Sequence, residues 1–452
     1  MKTTRRNFIR GSAAAAAAVI GPNIIINTPG IAAPSERLTL GFIGVGGRGY
    51  NNLDGLKNHG DTQVLGVCDV DKLHYGKNVK RGGRAYGRDA AKIYVDDFYS
   101  KQKGSTYKGC DAYLDYRELC ARDDIDAIAV STPDHWHALS TLEALNTGKD
   151  VYCEKPVTHW FHEGQRVYKT VAEKKAIFQT GSQQRSDKKF YQAVKLVQNG
   201  VLGKLSDVKV GLPTGHNDAQ GDTTDHTVPA NQDYEFWTGP AKMLPYMRAT
   251  NHWNWRWLTN TGGGQLMDWI GHHQDINAWA LDAQKSGPEW VQVAKWELPT
   301  GSAKGIYDGP VNYDVHCEYA GGVKVSIGNV NPMGTKWTGE NGWVHVTRGK
   351  ITSSNPEWLA DDFNAGDKEP YQGGLTANHH RNFIESCKSR KESIAPAENA
   401  HRSITPGHIG YVSAALGNKK LKWDAAKEEI VDDADAQKLL MRIDYRGDWK
   451  LG

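Results

Sequence analysis

The chain has 452 residues, of which 39% are hydrophobic, 10% aromatic and 24% charged. Counted with glycine in place of tyrosine, its apolar share of about 46% is that of an ordinary globular protein; a disordered or collagen-like chain is excluded, and the length suits two domains, three at most. The formal charge is +3, and four of the cations (Lys2, Arg5, Arg6, Arg10) lie in the first 33 residues, which hold no acid. The remainder is close to neutral, so no nucleic-acid partner is expected, because such binding needs a basic footprint.

The N-terminal segment reads as an export signal. Thr4-Arg5-Arg6-Asn7-Phe8-Ile9-Arg10 is a twin-arginine pattern, the apolar run Ser12 to Ile26 follows, and Gly30-Ile31-Ala32 offers small residues two apart, as a signal peptidase requires. Gly21-Pro22-Asn23 interrupts the run, which is short for a membrane span. Residues 1–33 are therefore expected to engage the twin-arginine export machinery, leaving a soluble protein in the periplasm or otherwise exported. That route carries folded proteins, which suits one that acquires a cofactor in the cytoplasm. Cys68, Cys110, Cys120, Cys153, Cys317 and Cys387 have no metal-binding spacing, and buried thiols are expected.

From Leu38 onward, apolar runs alternate with helical patterns. Leu38 to Ile43, Gln63 to Cys68, Ala127 to Val130, Val151 to Cys153 and Ala176 to Gln179 read as strands with helices between them. Such alternation makes parallel βαβ units, so a Rossmann dinucleotide-binding domain is expected over 37–157. Lys72 to Lys108, basic and glycine-rich, reads as a helix plus an exposed loop. Later segments differ: Val208 to Gly211, Trp290 to Trp296, Tyr313 to Tyr319, Val323 to Val330 and Trp343 to Thr347 are rich in β-formers, and Gly321-Gly322 suits a tight hairpin. Residues 158–452 are expected to form an α/β domain with a largely antiparallel, open-faced sheet. A helix around Gly264 to Leu281 interrupts the strands, and helices over Asn378 to Leu416 are expected to pack back on the first domain. An open sheet face needs cover, hence an expected homo-oligomer.

Gly44-Val45-Gly46-Gly47-Arg48-Gly49 is a G-x-G-x-x-G between a strand and a helix, where glycines let the backbone approach a pyrophosphate. Asp69 follows 20 residues after Gly49 at a strand end, placed to accept hydrogen bonds from an adenosine ribose. Asp69 and Asp71 would repel a 2′-phosphate, favouring NAD over NADP; Arg81 and Arg84 could counter this, but such residues are more often just a solvated loop. Ser131 to His137 and Glu154-Lys155-Pro156 each follow a strand, where ligands of doubly wound sheets bind. Asp268, His272 and Asp275 fall at i, i+4 and i+7 on one helix, as expected for an imidazole base oriented by a carboxylate. A metal use of Asp268, His272 and His273 and a purely structural cluster are the alternatives; no metal is expected. His252-Trp253-Asn254-Trp255-Arg256-Trp257 packs indoles among polar groups, as sugar recognition needs, whereas three indoles alternating along a strand would simply pack. Tyr246 and Arg248 are further candidates for that pocket.

These motifs together resemble the Gfo/Idh/MocA oxidoreductases. Gln183-Gln184-Arg185, Trp237-Thr238-Gly239-Pro240, Asn254-Trp255-Arg256-Trp257 and Gly262-Gly263-Gly264 resemble its exported, tryptophan-rich branch, and the likeness runs from about Leu38 to the terminus. The resemblance implies a Rossmann domain followed by an open-faced α/β domain. It implies that Lys155 is the catalytic lysine, that Asp268 and His272 bind substrate and move the proton, and that His137 lies near the cofactor. Expected cofactor contacts are then Gly44, Gly46, Gly47, Arg48, Gly49, Asp69, Thr132, Pro133, His137, Glu154 and Lys155. Expected substrate contacts are Lys155, Arg185, Trp255, Arg256, Trp257, Asp268 and His272. Some members of the family are redox-neutral N-acetylgalactosaminidases that lack the Glu-Lys-Pro motif, which is intact here.

An exported enzyme meets little free NAD, so a bound cofactor must be regenerated in place. The leading expectation is oxidation of a secondary hydroxyl of a sugar, glycoside or cyclitol, with a second substrate returning the hydride. The alternative is a glycosidase or lyase acting through a transient keto-sugar. A non-catalytic sugar-binding protein is a third reading, but it would not need Lys155, Asp268 and His272 together.

Overall fold

Leu38–Ile43 (β1) is buried along its whole length, as the central strand of a sheet covered on both faces must be. A computed structural model describes residues 33–75, 84–371, 373–376 and 378–452; the expected leader and Arg81 lie outside the described residues. On one side β1 pairs in parallel with β2 (Thr62–Cys68); β3 (His74–Tyr75) and β4 (Ala85–Tyr86) follow in the chain as a separate two-stranded ribbon, and β5 (Asp111–Tyr113) pairs with β2 at the sheet edge. On the other side stand β6 (Ala127–Val130), β7 (Asp150–Cys153) and β8 (Phe178–Thr180). The order β5-β2-β1-β6-β7-β8 is that of a doubly wound dinucleotide-binding sheet. The expected border at 157 falls short of it, because the amphipathic helix Phe161–Lys174 is a crossover that returns the chain to pair β8 beside β7.

The second sheet has nine strands. They are β9 (Leu205–Gly211), β10 (Trp290–Glu297), β11 (Asn312–Tyr319), β12 (Val323–Gly328), β13 (Gly334–Gly339), β14 (Gly342–Thr347), β15 (Lys350–Ser353), β16 (Leu421–Asp424) and β17 (Glu429–Val431), in the order β15-β14-β13-β9-β12-β11-β10-β16-β17. All pairs are antiparallel except β12 with β9. Gly321 and Gly322, with φ of 81° and 79°, make the β11–β12 hairpin turn in a conformation that side chains with a Cβ resist. One face is buried and the other presents Asp207, Lys209, His316, Lys324 and Lys336 outward.

Helix Gly264–Ala280 lies between this sheet and the Rossmann domain, with every residue but Trp269 buried. Its polar side chains therefore need partners: Asn277 accepts from Trp337 Nε1 at 3.0 Å, Gln274 donates to Tyr319 Oη at 2.8 Å, and His273 Nδ1 meets the Gly211 carbonyl at 2.7 Å. Phe383, Ile384 and Cys387 of helix His379–Ser389 enter the Rossmann core beside Leu53 and Val64. Two local readings change. The stretch 252–257 is a 3₁₀ turn, so its indoles do not alternate along a strand; and Lys72 to Lys108 holds the β3–β4 ribbon beside helix Arg88–Lys103. The six cysteines are buried free thiols, and among the described residues no helix is long and apolar enough to cross a membrane.

Candidate active site

A cavity of about 1150 Å³ opens over the carboxyl ends of the parallel strands and is roofed by the second domain. Its floor is the glycine turn. A Cβ on Gly49 would lie 1.9 Å from the Gly44 carbonyl oxygen, and one on Gly44 would lie 2.7 Å from that of Ser131, so only glycine allows β1, the turn and the following helix to come this close. Helix Gly47–Lys57 begins at Gly46 with no side-chain cap, leaving its first N–H groups facing the cavity mouth. Asp69 fixes the turn by accepting from Val45 N at 3.0 Å. Thr132 Oγ1 is buried without a partner in the cavity wall, an orphan that a bound ligand would satisfy. The cradle, the strand-end acid and the orphan hydroxyl fit a dinucleotide.

Glu154 and Lys155 follow β7 and point to opposite tasks. Glu154 Oε1 accepts from Arg48 Nε, Asn52 Nδ2 and Gln183 Nε2, each at 3.0 Å. Burial pushes its carboxyl up, but Arg48, Asn52 and Lys155 outweigh burial and hold it below the ordinary range. Glu154 thus anchors Arg48 at the helix start. Lys155 Nζ donates to Asp268 Oδ1 at 2.8 Å and to the Asp268 carbonyl at 2.7 Å, and Arg256 Nε donates to the same Oδ1 at 3.3 Å. Burial alone would raise Asp268; the two cations hold it low and charged. One turn along, His272 is held well below the ordinary histidine value by burial first and by Lys155 next, so it is a neutral imidazole able to take a proton. Its Nδ1 is buried without a hydrogen-bond partner.

The roof is the 252–257 turn. The Arg256 guanidinium lies 4.2 Å from the Trp253 ring centroid and 4.3 Å from that of Trp255, so the cation that reaches Asp268 is sandwiched by indoles. Trp255 and Trp257 are largely buried and line the cavity, whereas Trp253 is 49% exposed. His137 and Pro133 line the cavity; both ring nitrogens of His137 meet carbonyls, of Pro156 at 2.6 Å and Thr132 at 3.0 Å, and burial lowers it to about 4. It fixes the loops that carry Thr132 and Lys155.

Four expectations change. Arg185 does not reach the cavity: it is fully buried, bidentate to Asp275 at 2.7 and 2.8 Å, and donates to Gln284 Oε1 at 2.7 Å. Asp275 is committed to that pair and does not orient His272. His273 Nδ1 meets the Gly211 carbonyl in the sheet, so His273 does not join Asp268 and His272, as the alternative metal grouping requires. Tyr246 packs edge-on against Tyr234, behind the wall, although Arg248 does line the cavity. The cavity adds residues that motif reading passed over: Asp134, held well above the carboxylate range by burial and then by Asp268, and Arg348, from the turn after β14, which donates to Gln184 Oε1 at 3.1 Å over the Trp269 ring. Asp134 stood inside a quoted motif; Arg348 carried no signal.

A parallel sheet of this order with a cavity across its strand ends, closed by an open-faced α/β domain, defines a two-domain dinucleotide-binding protein. The profile described as "Oxidoreductase family, NAD-binding Rossmann fold" matches residues 38–182, and "Oxidoreductase family, C-terminal alpha/beta domain" matches residues 187–451. The chain belongs to the Gfo/Idh/MocA oxidoreductase family, and its N-terminal unit is the NAD-binding domain of that family. A glycosyl hydrolase family 109 protein of Shewanella baltica is 27% identical over 220 residues, 44% of either chain. The α-N-acetylgalactosaminidase of Shewanella oneidensis is 24% identical over 217 residues, again 44% of either chain. The match thus spans less than half the length of these curated relatives. The WlbA dehydrogenase from Bordetella pertussis, solved with NADH and UDP-GlcNAcA, shares the fold at 17% identity and a TM-score of 0.57, over 86% of this chain and 99% of that one. An aldose-aldose oxidoreductase from Caulobacter crescentus, complexed with glycerol, does so at 15% identity and 0.55, over 85% and 99%.

Proposed function

We propose that the protein oxidises a secondary hydroxyl of a sugar, glycoside or cyclitol with an NAD that stays bound and is recycled in place. The observation that carries this reading is that the glycine cradle and the Lys155–Asp268–His272 cluster share one cavity. NAD, when bound, supplies a carbon that accepts hydride and later returns it. Neutral His272 takes the hydroxyl proton as the carbon–hydrogen bond gives up its hydride and the carbon becomes a ketone. Lys155 spends two N–H groups on Asp268 and keeps one for the substrate oxygen, stabilising the charge that develops there. Asp268, itself held by Arg256, keeps that ammonium in position. The indoles of the 252–257 turn line the cavity and give apolar surface to a sugar ring, and the charged Asp268 accepts from a hydroxyl. The sugar ligands and substrates in the names of the fold neighbours fit this class.

A second reading rests on the relatives named as family 109 glycosyl hydrolases and α-N-acetylgalactosaminidase. There the same oxidation would be followed by elimination beside the new ketone and re-reduction, with no net redox change. The leaderless, NAD-loaded protein mixed with a panel of sugars and glycosides separates the two. A lasting, stoichiometric rise in reduced nicotinamide supports the oxidoreductase; product turnover without such a rise replaces it with the glycosidase. The same reading includes export by the twin-arginine route and a second copy of the chain covering the outer face of the nine-stranded sheet. Sedimentation as a monomer at micromolar concentration would remove the latter.

A further inference from the structure

At the cradle end of the same cavity, beside the glycine turn, three more donor atoms converge. Asp71 follows β2 and is 3% exposed, His74 opens the β3–β4 ribbon, and His252 opens the 3₁₀ turn of the second domain. His74 Nδ1 lies 3.5 Å and His252 Nδ1 3.8 Å from Asp71 Oδ2, and one ligand atom from each residue falls within 4.8 Å of the others. These separations are too long for good hydrogen bonds, and His74 Nδ1 is buried without a partner. They are close to the spacing of ligands around one ion: with zinc–ligand bonds of about 2.0–2.1 Å, tetrahedral ligand atoms stand about 3.4 Å apart.

The surrounding structure holds this convergence from both domains. His252 adopts a φ of 47°, left-handed for a non-glycine residue, and its ring stacks on that of His74 with centroids 4.5 Å apart. Asp71 makes a backbone bridge to Gln232 of the second domain, and a Cβ on Gly46 would lie 3.1 Å from His74 Cε1, so the cluster borders the glycine turn. The charges that act on Asp71 are those of Asp69, Arg88 and Arg248, so with Asp71 itself the pocket carries little net charge before an ion enters.

We propose that Asp71, His74 and His252 bind one divalent transition-metal ion of the zinc class, each giving one ligand. Two imidazoles and a carboxylate are borderline donors suited to such an ion and poorly suited to magnesium or calcium. The ion fastens the segment after β2 to the second domain beside the cradle. It takes no part in the proton transfer at His272, and the site stands whether or not the sugar-oxidation reading holds.

The test uses untagged, NAD-loaded protein treated with a chelator and then titrated with Zn²⁺ or with Co²⁺ as a visible probe, with no sugar present. The expected result is one equivalent bound, a higher Tm on binding, and a Co²⁺ spectrum without sulfur-to-metal charge transfer, which separates this site from the six thiols. His252→Ala and Asp71→Asn should lose the equivalent. His74→Gln, in the short β3–β4 ribbon, gives a third variant, and the wild-type Co²⁺ spectrum decides should the others fail to fold. Absence of stoichiometric binding by wild type, or equal binding by the variants, overturns the proposal.

Discussion

Replacing Lys155 by methionine removes a charge while keeping most of the side chain's bulk. The lost ammonium sits 2.8 Å from Asp268 Oδ1, an attraction of about 6 kcal/mol at an effective dielectric of about 20. Arg256, 3.3 Å from the same oxygen, remains, so the folded state should lose no more than the about 3 kcal/mol at the low end for breaking a buried pair. The chemical effect is larger. Without Nζ the substrate oxygen loses its donor, and hydride transfer should slow about 10²–10⁴-fold, or about 3–5 kcal/mol of barrier. The pH dependence should shift as well. Burial holds His272 well below its ordinary value and Lys155 is the next cause, so deleting Lys155 raises it. The base works only when neutral, so the acid limb of the pH–rate profile, expected below about 6.5 in wild type, moves to higher pH in the variant. Single-turnover absorbance of reduced nicotinamide, measured across pH after NAD occupancy is matched, checks both effects. A variant within tenfold of wild type and with an unmoved acid limb would refute the assignment of Lys155.

Gly49→Ala should cost about 1–3 kcal/mol and leave the purified protein largely free of NAD, since its methyl meets the Gly44 carbonyl oxygen; full nucleotide stoichiometry on extraction would contradict the cradle. Arg185→Leu should destabilise by about 3–5 kcal/mol by stranding buried Asp275, while kcat per folded molecule stays near wild type. Urea unfolding and active-site titration together check it, and a selective loss of sugar affinity would restore Arg185 to the site. Stability should fall in acid: burial lowers His135, His137 and His273 to about 4, so each contributes stability that is complete above about 6.5 and is lost as pH falls towards about 4, at about 1.4 kcal/mol per unit. Glu163, raised to about 7 by burial, runs the other way over part of that range, and urea midpoints measured against pH should still decline below about 6.5.

Most of the Rossmann domain was legible because its constraints are local. Buried parallel strands are continuous apolar runs, the turn demands glycine at fixed offsets, and Asp69 follows at a set distance. A strand end and a periodic helix made Lys155 and Asp268 candidates, but position alone left Lys155 even with a surface lysine, and the role given to each came from the family resemblance. The roof was not. A segment with indoles at every second position fits a strand by periodicity, yet Asn251 caps it by accepting from His252 N, and the chain turns into a 3₁₀ helix. Arg348 and the Asp71–His74–His252 convergence had no signal either, since each depends on how far apart parts of the chain meet.

Asp275 shows where a periodic reading reaches its limit. At about 100° per residue, positions 268, 272 and 275 do share one face of an α-helix, so assigning all three to one site followed correctly from the angle. Angle says nothing of depth. With a rise of about 1.5 Å per residue, Asp275 stands roughly 10 Å along the axis from Asp268, past the end of the cavity and in the layer where Arg185 arrives from the turn after β8. A buried guanidinium requires a carboxylate there, and only the inward face of the helix can supply one. The same stripe of polar residues therefore does two jobs: its first turn faces the cavity with Asp268 and His272, and its next turn locks the helix to the Rossmann side through Asp275. The second job positions the first, because the pair fixes the helix's height against the domain that carries Lys155.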